Sequence, residues 1–551
     1  MKSSLLVLLT LVLCLIYFTL AQGARNHVNI SPEGDDVAYL ETANQISERG
    51  GVIQLVKDHF TGDYLEANRH PLYVGMLSIF SQRELSFYEN ARSLNFILNI
   101  IFLGLVVIFM KKQLGINAAL VMTVLFASNY FFKEQNTRVS VEPLLMILIL
   151  VTWFVATIPL KTYRSALLLG FFLGLSYMAK ITAIFLFPAI FLAFLVDLHT
   201  FKRSSGLKLN LLKYTLVFLT AIVVMLPLLI RNVRVYNNPF YNSNSQYIFI
   251  NSGDERRSLD TIEGNTASFK DLREQNSLSE LASRIGKGIL GEIVIIGQLT
   301  LFDYQRIRGG LLVLALVGLG LLTDLNRRRA VISGTLLTGF GTFFAWYFAI
   351  SGHYRYLLPI LFIVYFYAFL GAQKIIWFLN ERFKLKFKSN KLILILNSKI
   401  NILLPLTLLA FLVFSIISTY GKYGILSPLS GVSTSESYNE VLAFIKLHPT
   451  DLYFNGPGHK FQVEWLTNTE ATTQEVPFLS TYDEFLRYAE TNNIKYLILS
   501  QPVIERRSEI FNAYFEQTEK KGIIVTMAPP KLLEISRDPS KRVEYIIYEI
   551  Q

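Results

Sequence analysis

Apolar runs recur along this chain, about eleven of them, and most approach the roughly 20 residues that a membrane-spanning helix needs. The first, Leu5 to Leu20, follows Lys2 and resembles a signal peptide. It is also nearly long enough to remain as a span, and we expect it to be retained. The next runs are Leu94 to Met110, Ala118 to Phe132, Val141 to Leu160, Ala166 to Ala179, Ile181 to Leu198 and Leu211 to Ile230. After a long polar loop come Gly310 to Leu322, Val331 to Ile350, Tyr356 to Trp377 and Ile400 to Tyr420. Ile289 to Phe302 is also apolar, but its pattern does not place it. The polar stretches differ among themselves. Val37, Leu40, Ala43 and Ile46 have helical spacing that ends at Gly50-Gly51, and Pro71 fits a helix start.

Charge then orients the runs. Lys111-Lys112, Lys161 with Arg164, Lys202-Arg203, Arg327-Arg328-Arg329 and the basic loop from Arg382 to Lys391 fall beside alternate ends. The positive-inside rule puts those ends in the cytoplasm. Residues 23–92 and 232–286 then become outer loops of a membrane domain over residues 1–425. Past Tyr420 the composition changes. Ser427-Pro428 to Ser437 reads as a linker, and residues 437–551 read as a small soluble α/β domain outside the membrane. Its signals are helical spacing at Tyr438, Val441, Leu442 and Ile445, and a Thr481–Glu484 capping box. Strand-like runs follow at Tyr496 to Leu499 and Val543 to Ile550.

Composition narrows the class. Of 551 residues 52% are hydrophobic and only 17% charged, too apolar for a soluble protein of this length. The net charge of +11 sits largely in short loops. It therefore points to lipid headgroups and not to nucleic acid. The lone Cys14 excludes an internal disulfide and a Cys/His zinc site. We expect a polytopic α-helical protein of a cytoplasmic (plasma) membrane.

The other interface gathers different residues. Asp35 and Asp36 open the first outer helix, where a cap and a dipole partner are the ordinary explanation. They also suit a general base, or a shared divalent cation. Arg69-His70-Pro71-Leu72-Tyr73 lies in the same loop. Arg138 and Glu142 are four apart, which suggests an intrahelical ion pair. Lys180 stands alone at a tight outer turn. Arg231 ends one span, and His353-Tyr354-Arg355-Tyr356 opens another. Charge at span entrances is expensive without a partner. The outside of a cell supplies no nucleotide sugar, so a transferase there takes its activated donor from the lipid. A polyprenyl-phosphate sugar leaves a phosphate that needs fixed cations. Lys180, Arg231, His353 and Arg355 are suited to hold it, with Asp35 or Asp36 as base. Tyr39, Arg69, His70, Arg138, Glu142 and Tyr356 complete the candidate set as substrate-binding residues.

The acidic pair followed by Tyr39 resembles the Asp-Glu-x-x-Tyr type signature of GT-C glycosyltransferases. Arg69 to Tyr73, Lys180-Ile181-Thr182, Pro227 with Arg231-Asn232, and His353 to Pro359 follow in that family's order. The resemblance covers nearly the whole chain. It implies the GT-C membrane fold with an outer C-terminal domain, a polyprenyl-phosphate donor, and Asp35 as the usual catalytic aspartate. Asp36 stands where many members have Glu. Trp465 stands alone where the oligosaccharyltransferase branch carries Trp-Trp-Asp. The expected activity is inverting transfer of one sugar to an extracytoplasmic glycan, lipid or protein hydroxyl. The competing class is a flippase of lipid-linked glycans, which should carry polar residues at mid-membrane or paired broken helices. Few polar residues lie at mid-span here.

Overall fold

The computed structural model describes residues 35–201, 207–252, 267–301, 306–348 and 352–386. In the C-terminal part it describes 443–447, 452–455, 473–475, 493–500 and 545–549, with a few isolated residues besides. The expected first span, the eleventh span, the linker and the Thr481 capping box lie outside the described residues or nearly so.

Three short helices come first: α1 (Asp35–Glu48), α2 (Gly51–Thr61) and α3 (Pro71–Ser78). Gly50 and Gly51 separate α1 from α2 with φ of 113° and 74°, a left-handed geometry that only glycine adopts freely. Pro71 opens α3 at a position whose N–H has no helical partner to lose. The spacing read for α1 holds, since Val37, Leu40, Ala43 and Ile46 are all buried. Asp36, Glu41, Thr42 and Asn44 are buried too, so α1 is enclosed and not half-solvated.

Long helices follow: α4 (Leu85–Leu114), α5 (Ile116–Ser128), the short α6 (Tyr130–Glu134), α7 (Glu142–Thr157) and α8 (Tyr163–Ala179). A 3₁₀ turn (Ile181–Phe185) leads into α9 (Leu186–Phe201), and α10 runs from Leu207 to Tyr236. A second 3₁₀ segment (Ser243–Phe249) and α11 (Phe269–Gln275) occupy the polar loop. Next are α12 (Leu278–Leu301), α13 (Arg306–Thr323) and α14 (Arg327–Tyr347). Two 3₁₀ turns (Tyr354–Tyr356 and Leu358–Ile360) then precede α15 (Leu361–Lys386). The unplaced apolar stretch is the second half of α12. Among the described residues, five helical segments are long and apolar enough to span a membrane: 86–114, 181–199, 209–236, 327–347 and 354–379. Four shorter apolar helices accompany them there. The protein is a multi-pass, mostly helical membrane protein.

One core runs through the bundle, from Tyr73 and Phe87 past Trp153 to Phe366. Close helix contact depends on glycine at the α13–α15 crossing. A Cβ on Gly320 would lie 2.1 Å from the Tyr367 carbonyl oxygen, and one on Gly371 would lie 2.1 Å from that of Leu316. Small residues allow this approach where lipid provides no hydrophobic drive between helices.

The Arg327 triplet is not a solvated loop. Arg328 pairs with Asp197 and donates through Nε to the Ala156 carbonyl at 2.6 Å. Arg329 grips Asp324 with two bonds of 2.6 and 2.8 Å, and Gln113 at 2.7 Å. Two of these arginines therefore hold helix ends together. In the C-terminal part, β1 (Leu452–Asn455), β2 (Thr473–Glu475), β3 (Ile494–Ser500) and β4 (Tyr545–Glu549) form one sheet in the order β2-β1-β3-β4. β1 is parallel to β2 and β3, and β4 is antiparallel to β3, with Ile498 opposite Ile547. β3 and β4 match the two strand-like runs. β1 and β2 carried no clear alternation.

Candidate active site

The first three helices, the 3₁₀ turns, the start of α7 and the ends of α8 and α14 enclose a cavity of about 360 Å³. Its walls bring together Asp35, Asp36, Tyr39, Arg69, His70, Arg138, Glu142, Lys180, His353, Arg355 and Tyr356. These are all the sequence candidates except Arg231. Ile181, Ile184, Phe185, Phe343 and Phe344 form an apolar flank. Charged and apolar side chains thus line one cavity.

Asp35 and Arg355 meet across the fold, with Arg355 Nη1 donating to Asp35 Oδ2 at 2.6 Å. The Asp35 side chain remains 54% exposed to the cavity, while that of Arg355 is 30% exposed. Burial among protein atoms works to raise the Asp35 carboxyl. The Arg355 charge and hydrogen bond, helped by Arg69 and Lys180, outweigh it and hold the carboxyl below the ordinary carboxylate range. The Arg355 Nε is buried without a hydrogen-bond partner.

Asp36 differs from its neighbour. It is 4% exposed, accepts the Val139 N–H at 3.0 Å and accepts the Tyr88 hydroxyl at 3.4 Å. Burial pushes it up to about 7, against the pull of Arg138 and the Val139 bond. The two adjacent carboxylates thus face different partners. Among the described residues no group of three or more His, Cys, Asp or Glu side chains could hold a metal ion.

The expected Arg138–Glu142 pair does not form. Arg138 instead pairs with Glu134 at 3.5 Å, because the chain between 138 and 142 is not helical and α7 begins only at Glu142. Glu142, buried, accepts from Lys180 Nζ at 2.7 Å. Lys180 breaks the chain between α8 and the following 3₁₀ turn with an extended backbone, which aims it at α7. Arg69 pairs with Glu66 at 3.3 Å. Arg138, Lys180 and Arg69, like Arg355, therefore each have a carboxylate partner.

The two histidines are neutral. The Nδ1 of His70 lies 2.5 Å from the Tyr177 carbonyl, so it carries the proton there. Burial lowers His70 to about 4. His353 Nδ1 accepts the Arg355 N–H at 3.2 Å, which leaves its proton on Nε2. Burial, then Arg355 and Arg138, lower it to about 4. His353 thus offers a hydrogen bond and not a charge. Burial, Glu142 and Asp35 push the Tyr39 phenol well up, so it stays protonated. Its ring meets Tyr73 edge-on at 5.3 Å and lies 5.5 Å from the Arg69 guanidinium. Tyr356 stacks on Phe344 at 4.8 Å and lies within 5.4 Å of the Arg355 guanidinium.

Arg231 is placed outside the cavity lining. Its guanidinium, 2% exposed, donates to the Glu66 carbonyl and sits 5.7 Å from the Tyr64 ring. Glu66 in turn accepts the N–H groups of Asn68 at 2.6 Å and Arg69 at 3.1 Å. Arg231 therefore shapes the loop that presents Arg69. Sequence reasoning missed Asn68, Asn242, Asn244, Ser245 and Arg256, which line the opposite rim. Asn242 Nδ2 ties the two loops together by donating to the carbonyls of Ala67 at 2.9 Å and Asn68 at 3.1 Å. The signal available was the Asn/Ser density of residues 237–245 in the long polar loop after α10.

The architecture matches solved structures. It aligns with the crystal structure of ArnT from Cupriavidus metallidurans bound to undecaprenyl phosphate. That match covers 100% of this chain and 99% of that one, with a TM-score of 0.54 and 12% identity. The chain has the ArnT fold. It also aligns with the archaeal oligosaccharyltransferase AglB from Archaeoglobus fulgidus, solved with an inhibitory peptide and a dolichol-phosphate. There it covers 91% of this chain and 70% of that one, with a TM-score of 0.54 and 11% identity. No protein-family model matches the sequence, and no curated protein does. The GT-C resemblance read from scattered motifs is thus a resemblance of fold, end to end with ArnT.

Proposed function

We propose that this protein is an inverting glycosyltransferase that moves one sugar from a polyprenyl-phosphate carrier to a hydroxyl of an extracytoplasmic glycan, lipid or protein. The observation that carries this reading is the Asp35 carboxylate within reach of Arg355, in a cavity with further cations and an apolar flank. The shared fold with ArnT, solved with undecaprenyl phosphate, supports a lipid-linked donor. We infer about eleven spans, by the roughly 20-residue length rule, with the cavity and the C-terminal sheet on the outer side.

Each residue class has its task. Arg355, Lys180 and Arg69 hold the donor phosphate through charge-assisted hydrogen bonds, and His353 adds a neutral Nε2–H donor. Asp35 takes the proton of the acceptor hydroxyl. The acceptor oxygen forms its bond to the anomeric carbon from the face opposite the phosphate. The bond from that carbon to the phosphate oxygen breaks, its electron pair stays on the phosphate, and polyprenyl phosphate leaves. The fixed cations stabilise the negative charge that grows there. Attack from the opposite face inverts the anomeric centre. Asp36 anchors the start of α1 to Val139 and so fixes the position of Asp35.

The test is transfer itself. Purified protein is incubated with a panel of polyprenyl-phosphate monosaccharides and acceptors, and free polyprenyl phosphate is measured. Asp35→Asn should lower its release by about two orders of magnitude or more while the protein still reaches the membrane. Full activity of that variant removes Asp35 as base. A flippase reading is less favoured, because it gives no task to a carboxylate–guanidinium pair facing an outer cavity.

A further inference from the structure

Two tasks assigned above collide in the structure. Asp35 cannot serve as a free base, nor Arg355 as a free phosphate ligand, while Nη1 and Oδ2 are 2.6 Å apart. We propose that the Asp35–Arg355 ion pair is a latch, opened when the phosphate of a polyprenyl-phosphate ligand takes Arg355, so that the base is released only after the donor is seated. The proposal rests on the functional reading above and adds an order of events to it.

Exposure decides which pair opens. Four cavity cations carry carboxylate partners: Arg69 with Glu66, Arg138 with Glu134, Lys180 with Glu142, and Arg355 with Asp35. An incoming phosphate can take a cation fully only if the displaced carboxylate finds another partner or water. The Glu142 side chain is 3% exposed, so freeing it would strand a buried charge. That of Glu134 is 11% exposed and also accepts the Tyr354 hydroxyl. Glu66 is 25% exposed but is already committed to two backbone N–H groups. Asp35, 54% exposed, is the carboxylate of the four that water reaches most readily. Arg355 also has a spare donor, since its buried Nε lacks a hydrogen-bond partner.

A latch has a thermodynamic consequence that a plain binding residue lacks. If Asp35 competes with the ligand for Arg355, removing the Asp35 charge must tighten ligand binding, because linkage is reciprocal. Asp35→Asn should therefore bind undecaprenyl phosphate about fivefold or more tightly than the native protein, even though it no longer transfers sugar. The experiment measures undecaprenyl phosphate binding to the full chain in detergent or nanodiscs, by thermophoresis or tryptophan fluorescence. Asp35→Ser, which keeps an oxygen able to cap α1, is run in parallel in case the Asn variant does not fold. In an Arg355→Gln background the gain from Asp35→Asn should vanish. Equal or weaker binding by both Asp35 variants overturns the latch, as does a gain that persists without Arg355. If the native protein does not bind undecaprenyl phosphate but the Asp35 variants do, the latch stands in its tightest form. If none of them binds it, the functional reading fails first.

Discussion

Replacing Asp36 by Asn separates the two neighbouring carboxylates. Asp36 is buried, and its pKa rises from 3.8 to about 7. A raised carboxyl takes up a proton on folding. Its contribution is fully present below the unfolded value of 3.8 and is lost as pH rises through about 7. At pH 8 the native protein therefore carries a burden of about 4 kcal/mol, at 1.36 kcal/mol per unit. Asn is nearly isosteric, and its carbonyl oxygen can still accept the Val139 N–H. The pull of Arg138 and of the Val139 bond on the charged form is already contained in that rise. The expectation is a gain of up to about 4 kcal/mol for Asp36→Asn at pH 8. By the same linkage the burden falls to less than half near pH 5, and the gain should shrink with it. The assay is thermal unfolding of the detergent-solubilised protein across pH 5 to 8, comparing variant with native at a fixed scan rate because membrane proteins seldom refold. Sugar transfer is measured on the same samples and should fall less than about tenfold, against the far larger loss for Asp35→Asn. A lower melting temperature than native at pH 8, or a difference that does not change with pH, refutes the reasoning.

Three further outcomes follow from the geometry. Arg355→Ala should raise the KM for the lipid-linked donor about tenfold or more while changing acceptor KM little; steady-state kinetics with each substrate varied in turn would expose an unchanged donor KM. Glu142→Gln leaves the Lys180 ammonium without a charge partner beside a largely buried pocket wall and should destabilise the protein by roughly 2–4 kcal/mol, read as a drop in melting temperature that Lys180→Met on the same background partly restores. Gly320→Ala places a methyl 2.1 Å from the Tyr367 carbonyl oxygen, so α13 and α15 must part, at a loss of about 1–3 kcal/mol; native melting behaviour in that variant would show the crossing to be looser than described.

Local pattern alone was enough to show a chain of long apolar helices. Runs of apolar residues, basic clusters and breakers such as Gly50-Gly51, Pro71 and Lys180 act over a few residues, and they set the helix limits. The starts of α1 and α3 and the two later strands belong to the same class of local signal. Most of the charged residues that line the cavity, Arg256 apart, were also legible, because a charge at the mouth of a span needs a reason even before its partner is known. Which partner each charge takes was decided only by the tertiary structure. Arg138 turned to Glu134 and left Glu142 to Lys180, since the backbone ahead of α7 is not helical and cannot hold the four-residue spacing. Arg231 has the same chemistry as Arg355, yet it faces the Glu66 carbonyl and not the cavity. Asp35 and Asp36 are neighbours in sequence, but one meets Arg355 and the other Val139, 320 and 103 residues away. Such pairings depend on how distant helices pack, and a local pattern carries no record of that.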